Sequence, residues 1–371
     1  MTDIYLYIYL AVVIVYAFVL SSVLRAIQGG GTGRGAYGRL DGRERGISVV
    51  VCISSETEEE IESCIGTIEE SIERVEKGKK GVPAELVVVG DNLDNEREAI
   101  VRRLVGTRGY ARYIDRRSSR RGKKGAQREG IRNAKYDNIV CTDGDCVVGK
   151  EWIETIWREI PEGEYMLLLP VVMESAGGIV GDVAEMEFAC LQAATAGTAN
   201  RGFPTMANGA GMAFSRRTYE RQRDTSEYAS GDDMFLLEQA IETGAEVRYI
   251  TDSRAAVHTK TPETVGQYLR QRSRWAGKAG GYRTWYIILF AVVVFMVNLL
   301  SVVMPLLIPL KLAIKIFMAK TSMDVALCVA GCRLTGRRVR KRAVALMAIV
   351  YPLYVVVVAL WGIVTAKRGR W

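Results

Sequence analysis

One histidine, His258, stands among 371 residues. A metal centre built on several imidazoles is therefore excluded, and His258 reads as a loop histidine satisfied by its neighbours. The seven cysteines, Cys52, Cys64, Cys141, Cys146, Cys190, Cys328 and Cys332, show no zinc-type pairing. They fit reduced, mostly buried small apolar residues of a cytosolic domain. A nucleic-acid module signature is missing, and the basic clusters lack interleaved aromatics, so no nucleic acid is expected as partner. No basic stretch precedes the first apolar run and no small-residue cleavage site follows it, which argues for an uncleaved anchor.

What is present divides sharply by composition. The ends are apolar; the middle carries most of the charge. The net charge is +8, with positives clustered at 112–132, 216–223 and 333–342. Such clusters suit phosphate-bearing ligands or an anionic membrane surface. Residues 4–24 carry no charge, enough to cross ~30 Å of hydrocarbon, and Tyr5, Tyr7 and Tyr9 crowd one end as interfacial aromatics do. Arg25, Arg34, Arg39, Arg43 and Arg45 follow, which places the N-terminus outside and the middle of the chain in the cytosol. The expectation is a transmembrane anchor over 1–27 and a flexible Gly- and Arg-rich linker over 28–46. Residues 284–371 return to the bilayer: 285–310 and 343–366 read as spans. Residues 311–332 are interrupted by Lys315, Lys320 and Asp324 and fit an interfacial helix or a poor span. Keeping the basic loop 333–342 cytosolic requires a return crossing, hence four crossings of an inner (plasma) membrane.

Between these ends, 47–53, 86–89 and 138–141 are continuous apolar runs suited to strands buried on both faces. Residues 58–76 repeat Ile61, Ile65, Ile68, Ile72 and Val75 at helical spacing. Further helices are expected at 95–105, 126–134, 152–160, 181–196, 234–242 and 264–279, and further strands at 111–114, 165–172 and 245–250. Strands alternating with helices predict an α/β fold with a mostly parallel sheet. Ligands of such sheets bind at the carboxyl ends of the strands, where Ser54, Asp91 and Asp143 all stand.

The chain is organised around Thr142-Asp143-Gly144-Asp145-Cys146. In extended backbone residues i and i+2 point the same way. Two carboxylates so aimed repel unless a cation neutralises them, and Mg²⁺ or Mn²⁺ shares such a shell with a substrate phosphate. Taken alone, the stretch also fits an acidic turn. Likewise Asp91 can be a cap for the helix at Asn95, and Asp232-Asp233 a cap for the helix behind them. The loop 200–211 holds Gly202, Pro204, Asn208, Gly209 and Gly211, where backbone must come close to something. Gln271 and Arg274 share one face of the 264–279 helix; an interfacial helix with a snorkelling Arg and a Trp is compatible with the same pattern.

Taken in order, Val49 to Glu56, Val87 to Asn92, Gly122-Lys123 to Gly130, Asp143-Gly144-Asp145, Asn208-Gly209, Gly231-Asp232-Asp233 and Gln271-Arg272-Ser273-Arg274-Trp275, followed by apolar helices, resemble a membrane-bound family 2 glycosyltransferase. The likeness is to the bacterial type with an N-terminal anchor, DxD and QxxRW motifs, and C-terminal transmembrane helices. It implies a cytosolic GT-A domain over 47–283, and inverting transfer from a nucleotide-sugar, a UDP-sugar, to a membrane-presented lipid-linked sugar or polysaccharide in cell-envelope glycan synthesis. By the same likeness Ser54 and Asp91 contact the base, although Ser54-Ser55-Glu56 departs from the family's first motif. Lys123 lies on the diphosphate, Asp143 faces ribose or sugar, and Asp145 binds the divalent metal. Asn208 and Gly209 lie near the donor sugar, Asp232 orients the sugar or its loop, and Asp233 is the general base. Gln271 and Arg274 face the diphosphate side, and Trp275 walls the acceptor. The alternatives are a processive polysaccharide synthase, a non-catalytic membrane scaffold, or a nucleotidyltransferase on a similar sheet.

Overall fold

A computed structural model describes residues 2–28, 46–78, 81–106, 108–118, 122–221 and 232–366. The chain divides into two compact units. One comprises Met1–Gly31, Met173–Met206 and Lys260–Trp371, the other Thr32–Val172 and Ala207–Thr259. In chain order the elements are α1 (Thr2–Gln28), β1 (Ile47–Ile53), α2 (Glu58–Lys77), β2 (Ala84–Asp91), α3 (Asn95–Val105), β3 (Ala111–Arg116), α4 (Lys123–Asn133) and β4 (Asn138–Asp143). Then come β5 (Val147–Val148), α5 (Trp152–Glu159), β6 (Tyr165–Leu168), β7 (Val171–Glu174), α6 (Gly178–Asn200), β8 (Met212–Ser215) and α7 (Arg216–Glu220). The chain closes with α8 (Asp232–Thr243), β9 (Glu246–Tyr249), β10 (Val257–Lys260), α9 (Val265–Ala276), α10 (Trp285–Val303), α11 (Leu310–Leu334) and α12 (Lys341–Ala366).

The second unit is built on a seven-stranded sheet in the order β3-β2-β1-β4-β8-β6-β9. It is mostly parallel; β8 alone runs antiparallel to its neighbours β4 and β6. Nearly every residue of β1 and all of β2 are buried, as expected of strands covered on both faces. A Thr57–Glu60 capping box opens α2, and Asp94, whose side chain accepts from Arg97 N, caps α3. Asp91 is therefore not that helix's cap.

Two departures from the sequence reading have clear causes. The strand expected at 165–172 divides into β6 and β7, because Pro170 has no N–H to give a ladder. Leu169 N instead donates to Gly211 O (3.1 Å), and Pro170 O accepts from Val257 N (2.8 Å). Strand β8 was not anticipated: four residues carry too short a pattern to separate them from the loop before them.

In the first unit α1 packs its Tyr9, Val13, Tyr16, Leu20 and Val23 against Ala193 of α6, Val297 of α10 and Ala313 and Ile316 of α11. The helix expected at 181–196 thus belongs with the apolar helices. Small residues set the approach: a methyl group on Gly331 would lie 1.9 Å from Ala189 O, and one on Gly197 2.5 Å from Val23 Cγ1. Three helices among the described residues, Asp3–Ile27, Trp285–Leu306 and Lys341–Gly362, are long and apolar enough to cross a membrane. The sequence reading expected four crossings. Helix α11 has the length but not the composition: Lys320, 1% exposed, is held by Asn298 Oδ1 (2.8 Å) and Asp324 (2.7 Å), and Tyr16 donates to Asp324 (2.6 Å). Charges inside an apolar bundle persist only when paired in this way.

Candidate active site

The carboxyl end of β2 carries Asp91, 4% exposed. Arg116 pairs with its Oδ1, and Gly122 N donates to its Oδ2 at 2.6 Å. Asn92 takes a left-handed φ of 54°, which a short amide side chain tolerates. Its Nδ2 donates to Ser118 O (3.0 Å), and its Oδ1 accepts from Ser118 N (2.9 Å). The basic stretch is thereby tied back onto β2, and it leads directly into α4.

Lys123, the first residue of α4, forms an ion pair with Asp143 at the end of β4. Crowding by protein around the ammonium works against its charge, but Asp143 outweighs that and, with smaller contributions from Cys52 and then Asp233, holds its pKa above the usual lysine range. Gly209 brings the third segment in: its N–H donates to Asp233 Oδ2 (3.3 Å), and a methyl group there would sit 3.2 Å from Lys123 Nζ. Alongside, Lys124 pairs with Asp232 at 3.1 Å. Burial raises the Asp232 carboxyl above the ordinary carboxylate range, partly offset by Lys124. Two consecutive lysines thus pair with aspartates from two different segments, Lys123 with Asp143 and Lys124 with Asp232.

The Asp143-Gly144-Asp145 turn closes through Cys146 N donating to Asp143 O (3.2 Å). A methyl group on Gly144 would fall 2.6 Å from Ile53 Cδ1 and 3.0 Å from Cys52 O. Gly144→Ala is accordingly expected to destabilise the sheet unit by about 1–3 kcal/mol, the range for overpacking, read as a lowered midpoint in thermal unfolding; an unchanged midpoint would show that the turn relaxes freely. Asp145 reaches solvent, yet crowding by protein raises its pKa, and repulsion from Asp143 and from Glu56 adds to the shift. Negative charge is therefore concentrated at this turn. Among the described residues no group of three or more His, Cys, Asp or Glu is placed to hold a metal ion by itself.

Ser54 is exposed in the loop after β1, where its N–H and that of Ser55 donate to Glu56 Oε2 (2.5 and 2.8 Å). Asn208 Oδ1 accepts from Ala210 N (3.0 Å), so its side chain shapes the glycine loop. Ser54, Asp91, Lys123, Asp143, Asp145, Asn208, Gly209, Asp232 and Asp233 all belong to the sheet unit; Gly231 lies outside the described residues. Glu56, Arg116 and Lys124 were not singled out from the sequence. Glu56 had only its place after a strand as a signal, and the two basic residues were lost in a charge run.

Gln271, Arg274 and Trp275 lie on α9, in the helical unit. Arg274 is exposed, whereas Arg272 is 4% exposed and bonded to Glu187. Trp275 packs against Phe188 with ring centroids 6.0 Å apart.

The model of glycosyl transferase family group 2 matches residues 138–363, more than half the chain, and that of glycosyl transferase family 2 matches residues 48–222. The chain belongs to the family 2 glycosyltransferases. Its fold is also that of a mannosyltransferase from Pyrobaculum calidifontis solved in complex with GDP-Man and Mn²⁺, with a TM-score of 0.56 and 18% identity over 97% of this chain and 99% of that one. No curated protein matches the sequence. The transferase therefore carries a GT-A domain with apolar helices at both ends, and its chemistry is glycosyl transfer.

Proposed function

We propose that the transferase moves a sugar from a UDP-linked donor, with inversion, to a lipid-linked sugar or growing glycan presented at the inner membrane, with the sheet unit on the cytosolic side. The observation that supports this most is the convergence of Lys123 on both Asp143 and Asp233 through the Gly209 loop. It gathers a cation for a leaving diphosphate, an acid of the DGD turn and a carboxylate for an acceptor proton. Asp233 takes the acceptor hydroxyl proton as the sugar carbon is attacked. Lys123 meets the diphosphate, Asp143 the ribose or sugar, and Asp232 orients the loop. Asp91 and Ser54 hold the base, with Arg116 bracing Asp91. For Gln271 and Arg274 at the diphosphate, and Trp275 at the acceptor, the reading rests on the family likeness.

A divalent cation fits the DGD turn. Crowding by protein first, and repulsion from Asp143 and Glu56 after it, raise the pKa of Asp145; a hard cation with oxygen ligands would relieve that repulsion, and such cations share their shell with substrate phosphates. Asp145 would hold it, and the cation would supply Lewis-acid stabilisation of the departing nucleoside diphosphate. EDTA is expected to abolish transfer, and Mg²⁺ or Mn²⁺ to restore it; transfer at the full rate in chelator would remove the metal from this scheme. The donor is identified by incubating membranes with radiolabelled UDP-glucose, UDP-N-acetylglucosamine and GDP-mannose, the last because the structural neighbour was solved with it. Label entering lipid or polymer reports transfer; label released only as free sugar reports hydrolysis and counts against a membrane acceptor.

A further inference from the structure

Three helices of the helical unit meet at Glu187, a buried residue of α6. Its Oε2 accepts from Arg272 Nε (2.6 Å) and Tyr268 Oη (2.7 Å), both on α9, and its Oε1 accepts from Tyr354 Oη (3.0 Å) on α12. Arg272 carries the contact onward. Its Nη1 donates to Gln271 Oε1 at 2.5 Å. Its guanidinium carbon lies 4.3 Å from the Trp275 ring centroid and 4.9 Å from that of Tyr268. Its Nη2 is buried without a partner among the described residues.

A buried ion pair is a weak source of stability, since desolvating both charges cancels much of their attraction and apolar residues of similar volume often serve as well. A pair kept for packing alone would also leave no donor unmet. Its geometry is more specific. The planar fork of an arginine can bond a carboxylate on one edge, bond an amide on another and stack on an indole at once, which a lysine cannot do.

We propose that Glu187 is a positioning residue of the transferase: by locking Arg272 it fixes the side chains of Gln271 and Trp275, and through Tyr354 it fastens that arrangement to a spanning helix. This rests on the reading that Gln271 and Trp275 handle donor and acceptor. Packing and hydrogen bonds that preset such side chains act on rate, because small misplacements of a binding group can cost about 10²-fold.

The test uses the full chain in lipid nanodiscs with whichever of the three radiolabelled sugar nucleotides turns over. Replacing both charges together, E187M/R272M, strands neither. Its unfolding midpoint is expected to match or exceed the parent's, its kcat/KM for transfer to fall about 10–100-fold, and binding of UDP with Mn²⁺ to weaken by a smaller factor, since Gln271 is freed but not removed. R272K, which keeps the charge, is expected to lose a similar factor, and it supplies the comparison if the double variant does not fold. Adding E187Q to Q271A/W275A should cost little more, because the side chains it positions are already gone. Parental transfer by a folded E187M/R272M and by R272K, with Q271A and W275A impaired, overturns the positioning role alone. Parental transfer by Q271A and W275A overturns the reading beneath it.

Discussion

Asp233→Asn is expected to lower transfer by about 10²–10⁴-fold, the usual contribution of a general base, while leaving binding of the nucleotide nearly intact. The substitution is close in shape. Asparagine can still accept from Gly209 N, as Asp233 Oδ2 does at 3.3 Å, so the loop should hold its place. What is lost is the capacity to take a proton and one negative charge facing Lys123, which Asp233 helps keep protonated. The measurement is single-turnover transfer from a radiolabelled donor, paired with calorimetric binding of the nucleoside diphosphate. Transfer at the parental rate would mean that another group takes the acceptor proton.

The second large effect is expected at Lys123. Lys123→Met removes the cation that pairs with Asp143 and stands beside the Gly209 loop near Asp233, and three consequences follow from the one change. On the proposed reading the diphosphate would lose a donor, the developing charge on the leaving group would no longer be met, and Asp143 would lose its ion-pair partner. Loss of one preorganised donor at a developing anion typically costs 10²–10³-fold in rate, and because the ground-state diphosphate is bound by the same charge, donor KM should rise as well. A variant with raised KM but undiminished kcat would make Lys123 a binding group only. Lys124 cannot stand in for it, since it is engaged with Asp232.

The two predictions draw on unlike parts of the sequence. Asp143-Gly144-Asp145 was legible because two acids stand at the end of an apolar strand, although the structure sets Gly144 and Asp145 in a turn and not in the extended backbone that a period of two requires. The parallel core strands were legible for a similar reason: β1 and β2 are nearly continuous apolar runs, and the structure buries them almost completely. The short antiparallel β8 was not, because its place between β4 and β6 depends on pairing with segments far away in the chain. Glu56 was passed over for a related reason. Its effect on Asp145 comes from proximity across the sheet top, and nothing in Ser54-Ser55-Glu56 announces that neighbour. In the motif Gln271 to Trp275 the sequence drew attention to Arg274, whereas the structure buries Arg272 and bonds it to Glu187.

By itself the sequence determined the fold class, the strands at the heart of the sheet, the apolar character of both ends and the residue types needed for glycosyl transfer, because each is written in local periodicity or in a short motif. Only the tertiary structure decided which lysine meets which aspartate, that Asp94 and not Asp91 caps α3, and that α6, from the middle of the chain, packs with the terminal helices. The lysine–aspartate pairs and the packing of α6 join segments well separated in the chain, set by shape and charge in three dimensions, for which spacing along the chain carries no signal; the Asp94 cap is local, and Asp91 is instead engaged by Arg116 and Gly122 N.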